Sequence, residues 1–97
     1  MTWPRRAPAR DEVDAWFAAV LAGTASRDEA DRWAAQWFTG DADRLVHDEH
    51  VWWALGLLYG VDLPADRTGT FLHDDEQVRE WLAEFRARCA ASPMGDG

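Results

Sequence analysis

With 97 residues, 47% of them hydrophobic and 29% charged, and with seven tryptophans, the chain has the composition of one folded domain that buries a single core. No apolar run approaches the ~20 residues of a membrane helix and no signal-peptide core follows the first arginines, so a cytoplasmic protein with no membrane partner is expected. The formal charge of −8 is uneven: the first ten residues carry three arginines and no acid, and the rest carry 18 acids against seven arginines. Such an acidic body is expected to repel nucleic acid and to favour a basic protein partner.

Residues 1–10 contain Pro4 and Pro8 and no periodic pattern, which predicts an irregular Arg/Pro arm, with Trp3 available to dock on the body. A single helical domain is expected over residues 11–92 and a frayed tail over 93–97. The first helix begins at Asp11: Val13, Trp16, Phe17, Val20 and Leu21 fall at i, i+3, i+4, i+7 and i+8, and Gly23 stands where a left-handed C-cap belongs. The second begins with Ser26-Arg27-Asp28-Glu29, a capping box in which the Ser26 hydroxyl and the Glu29 carboxylate satisfy orphaned backbone N–H groups. Ala30, Trp33, Ala34, Trp37 and Phe38 repeat the spacing of the first helix as far as Gly40. Asp43 is placed to cap a short turn through Leu45 and Val46.

The third helix, Asp48 to Tyr59, contains the run Val51-Trp52-Trp53-Ala54-Leu55-Gly56-Leu57-Leu58-Tyr59-Gly60, which is apolar at nearly every helical azimuth and has to be covered by the other segments. Gly56 on it lowers helix propensity and leaves room for another helix backbone. The connection from Val61 to His73 is long, and its Val61, Leu63, Phe71 and Leu72 predict that it folds back on the core, with Thr70 to Leu72 locally extended. The last helix starts near Asp74 and puts Val78, Trp81, Leu82, Phe85 and Cys89 on one face. The fold class that follows is all-α, a compact array of four helices around a buried central third helix.

Two groups of polar residues are candidates for chemistry. His47 and His50, at i, i+3, with His73 could ligate zinc, although the spacing is not the four-residue step of a metalloprotease helix, and a polar helix start accounts for the same residues. Asp48-Glu49 and Asp74-Asp75-Glu76 stand in first helical turns, where the macrodipole favours the charged form, so they are not read as acid-base catalysts. Cys89 lies on an apolar face and reads as a small core residue. No phosphate loop or nucleophile elbow is present, so no catalytic residue, no cofactor and no enzyme activity are expected. Trp52 and Trp53 are about 100° apart and cannot point the same way; Trp53 with Leu57 is taken as an exposed apolar ridge beside acids.

The combination of Ser26-Arg27-Asp28-Glu29-Ala30 with Trp33 and Trp37, then Val51-Trp52-Trp53-Ala54-Leu55, then Phe71-Leu72-His73-Asp74-Asp75-Glu76 with Val78, Trp81 and Leu82 resembles a group of small acidic bacterial proteins, uncharacterised or immunity-type. The resemblance implies a protein-binding role, in which an acidic surface occludes a basic partner such as a toxin. Asp48, Glu49, Trp53, Leu57, Asp74, Asp75 and Glu76 would make that contact. A homodimer through the Trp53 and Leu57 ridge is the alternative, followed by a metal- or ligand-binding regulator.

Overall fold

Each periodic segment of the sequence is a helix in the computed structural model, which describes residues 6–64 and 71–92. The docking of Trp3 and the fraying of 93–97 concern positions outside those residues. The first helix, α1 (Arg10–Ala22), ends at Gly23, whose φ of 79° is a left-handed conformation that a side chain would strain. At its start the Glu12 carboxylate accepts the Ala9 N–H at 2.8 Å, but Ala9 has no side-chain oxygen to return the bond.

The second helix, α2 (Arg27–Ala35), has the predicted capping box in full: the Ser26 hydroxyl accepts the Glu29 N–H at 3.0 Å, and the Glu29 carboxylate accepts the Ser26 N–H at 2.8 Å. It then tightens into a 3-10 turn, Gln36–Phe38, and a second 3-10 turn, Ala42–Leu45, follows. Asp48 caps α3 (Glu49–Leu58) by accepting the His50 N–H at 3.0 Å. Asp74 caps α4 (Asp75–Ala91) by accepting the Gln77 N–H at 2.9 Å.

The helix directions follow from contacts between side chains far apart in sequence. Arg10, at the start of α1, pairs with Asp48 at the start of α3 and donates to the carbonyls of Cys89 and Ser92 at the end of α4. Arg86 pairs with Asp14, so α4 runs antiparallel to α1. At the opposite end, Arg27 of α2 meets Val61, His73 and Asp75, and Asp31 accepts the Gly60 N–H at 2.7 Å. The start of α2, the end of α3 and the start of α4 therefore meet there.

The third helix packs on α1, α2 and α4, and Val51, Ala54, Leu55 and Leu58 are buried in the shared core with Val13, Phe17, Val78 and Phe85. Full burial of each large apolar side chain contributes roughly 1.5–3 kcal/mol of gross stabilisation. Its central position is as expected. One strip of α3 nonetheless faces solvent: Trp52, Gly56 and Tyr59 are exposed. A Cβ at Gly56 would meet nothing within 4 Å, so no helix packs there, contrary to expectation. Glycine at this position costs about 1 kcal/mol of helix stability relative to alanine, and no contact within the fold accounts for it.

The connection after α3 also departs from its expected burial. Val61 is buried, whereas Leu63, Phe71 and Leu72 are exposed. Polar and cationic contacts hold its described ends: the Leu72 N–H donates to the Leu63 carbonyl at 2.9 Å, Pro64 and Phe71 form an antiparallel bridge, and the Arg27 guanidinium lies 4.3 Å from the Phe71 ring centroid. Among the described residues no helix is long and apolar enough to cross a membrane.

Candidate nucleic-acid interface

The helix directions place acids at both ends of the bundle and most of the described arginines at one of them. The end that joins α2, α3 and α4 gathers Asp28, Glu29, Asp31, Asp62, Asp74, Asp75 and Glu76. Three of these carboxylates, Asp28, Asp31 and Asp62, come within 4.8 Å of one another. Burial, followed by repulsion from Asp31 and Asp28, raises the Asp62 carboxyl above its ordinary range. The folded state therefore holds the Asp62 proton more tightly than the unfolded chain, and the resulting penalty on stability is absent in acid and grows as pH rises through that window. Asp62→Asn is expected to raise Tm by about 2–5 °C at pH 7 and by progressively less toward pH 4. Thermal melts of both proteins across that range check it, and a gain that does not change with pH contradicts the assignment.

The other end carries Arg6, Arg10, Arg86 and Arg88, with Arg44 on the turn just before α3, among Asp11, Glu12, Asp14, Asp41, Asp43, Asp48, Glu49 and Glu84. Arg10 is locked in place. Its Nε is 2.5 Å from Asp48, and its Nη1 donates to the carbonyls of Cys89 at 3.2 Å and Ser92 at 2.7 Å. Burial pushes the Asp48 carboxyl upward, but the bonds from Arg10 and from the His50 and Val51 N–H groups outweigh it and hold the carboxyl below its usual range. Burial raises the Cys89 thiol, as suits a half-buried core position and not a nucleophile. Arg10, Asp14, Phe85, Arg86 and Cys89 line an open cleft of about 300 Å³ between α1 and α4.

The remaining arginines are less committed. Arg6 pairs with Glu12 at 2.8 Å and Arg88 with Glu84 at 2.9 Å, both at exposed positions. Exposed pairs of this kind stabilise by about 1 kcal/mol or less, so a phosphate can displace the carboxylate. Arg44 is exposed and makes no ion pair among the described residues. A stack of aromatic rings runs along the exposed strip of α3. The Phe38 ring centroid is 4.7 Å from that of Trp52 and 4.6 Å from that of Tyr59, with interplanar angles of 28° and 11°. Trp52 and Tyr59 are two helical turns apart, a rise of about 10.5 Å. Phe38 is thus sandwiched between them, and the outer rings remain exposed.

The residues singled out from the sequence are divided by this geometry. Asp48 and Glu49 stand at the arginine end and Asp74, Asp75 and Glu76 at the acidic end, so they do not form one surface. Asp48 is engaged by Arg10, Asp74 by the α4 backbone and Asp75 by Arg27. Trp53 and Leu57 are half-buried, and the Arg88 guanidinium covers the Trp53 ring at 4.1 Å. Trp52, not Trp53, is the member of the pair that reaches the surface. His47 and His50 lie at the start of α3, whereas His73 lies beyond its other end, roughly 15 Å away, and packs against Trp81 in a tilted arrangement at 4.7 Å. The three imidazoles do not share a site. The His50 Nε2 is buried and finds no hydrogen-bond partner.

A family model described as YxzC DNA-binding protein matches residues 7–85. The chain belongs to the YxzC family. No curated protein and no solved structure matches it. The family match takes in Arg10, Arg27, Arg44 and the whole Phe38, Trp52 and Tyr59 stack, and stops before Arg86 and Arg88.

Membership of a family described as DNA-binding overturns several expectations. The immunity-type resemblance goes, because the helix caps and core positions that carried it are shared by unrelated helical chains. The basic protein partner and toxin occlusion go with it, and the Trp53 and Leu57 ridge proposed for a homodimer is half-buried, with Arg88 over Trp53. The exclusion of nucleic acid rested on net charge alone, and the family match overturns it. Arg44, the stack and Gly56 went unnoticed because a nearly uniform apolar run conceals which azimuth faces water. The i, i+4, i+7 spacing of Trp52, Gly56 and Tyr59 was the available signal.

Proposed function

We propose that this chain binds DNA, through the end of the bundle that carries Arg6, Arg44 and Arg88. The observation that carries this reading is the family match over residues 7–85. Cations that a phosphate can reach support it: Arg44 is exposed with no ion pair among the described residues, and Arg6 and Arg88 are held only by exposed carboxylates. The protein acts by binding, not catalysis, and works in the cytoplasm.

Because few arginines are available, the salt dependence should be shallow. Each phosphate neutralised contributes a slope of about −0.7 to −0.9 in log K against log salt, so engagement of two or three predicts a slope of roughly −2. Fluorescence anisotropy of labelled oligonucleotides, single-stranded and duplex, measures it. Binding in the micromolar range at about 50 mM salt, weakened several-fold by Arg44→Ala, is expected. No anisotropy change up to about 100 µM protein at that salt would overturn the reading.

A further inference from the structure

We propose that the outer face of α3 is a stacking site for unpaired DNA bases, with the faces of Trp52 and Tyr59 that are turned away from Phe38 as the platforms. The inference rests on the DNA-binding reading above and names the state of the strand and the residues that hold it. Trp52 and Tyr59 are 38% and 49% exposed, large values for aromatic rings already held in a stack. Phe38 fixes both ring planes from the side, so little ordering remains to be done when a base arrives.

Gly56 supplies a control. Its backbone is in the ordinary helical conformation and a Cβ there would find open space, so a methyl group at residue 56 leaves the stack and its outer faces undisturbed.

Two arginines lie near this face, together with the exposed acids Asp41, Asp43 and Glu49. Arg88 lies over Trp53, which is one turn from Gly56, the neighbour of Trp52 on the exposed strip of α3. Arg44 stands on the 3-10 turn that packs against the turn bearing Phe38. These guanidiniums are the groups available to phosphates while bases lie on the rings. Duplex DNA keeps its base faces stacked inside and offers nothing to the platform; an unpaired strand offers every base, with little dependence on sequence.

The full chain is titrated with a labelled oligothymidine of about 15 nucleotides and with a hairpin duplex carrying the same label. The single strand should bind at least about tenfold more tightly, with quenching of tryptophan fluorescence. Trp52→Ala should weaken it about tenfold, and Trp52→Phe, which keeps a ring, should recover most of the loss. Tyr59→Ala should weaken it several-fold, whereas Gly56→Ala should raise Tm by about 4–8 °C and leave single-strand binding unchanged. If the wild type binds DNA while Trp52→Ala and Tyr59→Ala bind as it does, or if duplex is preferred, the α3 site is wrong and the DNA-binding reading stands. If the wild type binds neither probe, both fall.

Discussion

Arg27→Met is expected to destabilise the protein by about 3 kcal/mol, far more than any other single charge removed from it. Arg27 is 8% exposed; its Nη1 donates to the Val61 carbonyl at 3.1 Å and the His73 carbonyl at 2.5 Å, and its Nη2 pairs with Asp75 at 2.8 Å. Methionine keeps much of the apolar stem but leaves two carbonyls without a donor, at about 1–3 kcal/mol for each that stays buried. The ion pair itself matters less, because Asp75 is 62% exposed, and Asp75→Asn should cost under about 1 kcal/mol. Arg27→Lys should recover less than half of the loss, since a point charge on a flexible stem cannot serve two carbonyls and a carboxylate as the planar fork does. Urea unfolding followed by tryptophan fluorescence measures all three variants. An Arg27→Met protein within about 1 kcal/mol of wild type, or an Asp75→Asn protein as damaged as it, removes Arg27 from this role.

Arg27 also shows where the sequence stops being legible. The helices could be read because their signals are local: apolar residues three and four apart, Ser26 with Glu29, Asp48 and Asp74 as caps, Gly23 as a stop. Arg27 sits inside one of those caps and looks like an ordinary first-turn residue. Its partners at Val61 and His73 are 34 and 46 residues away, and no periodic pattern announces a cation held by distant carbonyls. The same holds for the acids. Asp48-Glu49 and Asp74-Asp75-Glu76 look alike as strings, and only the antiparallel packing of α4 against α1 and α3 sends them to opposite ends.

The third helix failed for a different reason. Periodicity orients a helix only when polar residues mark its outer face, and the stretch from Val51 to Leu58 has none. Its azimuth is decided by what the neighbours cover, which leaves Trp52 and Tyr59 outside with Phe38 between them. Net charge misled in a similar way. Carboxylates far from a phosphate contribute a weak, salt-screened repulsion, and one displaceable arginine beside it contributes a local contact, so the balance depends on position within about a Debye length of 8–10 Å and not on the total.

Phe17→Ala is expected to be the most damaging substitution in the protein, at about 4–5 kcal/mol, with Phe85→Ala less severe at about 3 kcal/mol. The two rings meet at 6.2 Å where α1 crosses α4, and both are essentially inaccessible, at 0% and 1%. Their surroundings differ. Phe85 borders the open cleft between α1 and α4, so the space left by its removal can be partly filled by water or by the shift of Arg86, and α4 is free to settle. Phe17 faces the closed core, where no solvent reaches and α3 prevents collapse, so the cavity persists and its cost is added to the lost transfer energy. At this chain length 1 kcal/mol corresponds to about 4–8 °C in Tm, which puts Phe17→Ala at or beyond the edge of folding at 37 °C. Phe85→Ala should remain folded but loosen the end of α4, whose Cys89 and Ser92 carbonyls hold Arg10. Differential scanning calorimetry of the two variants orders them, and equal losses would show that the cleft does not relieve the cavity at Phe85.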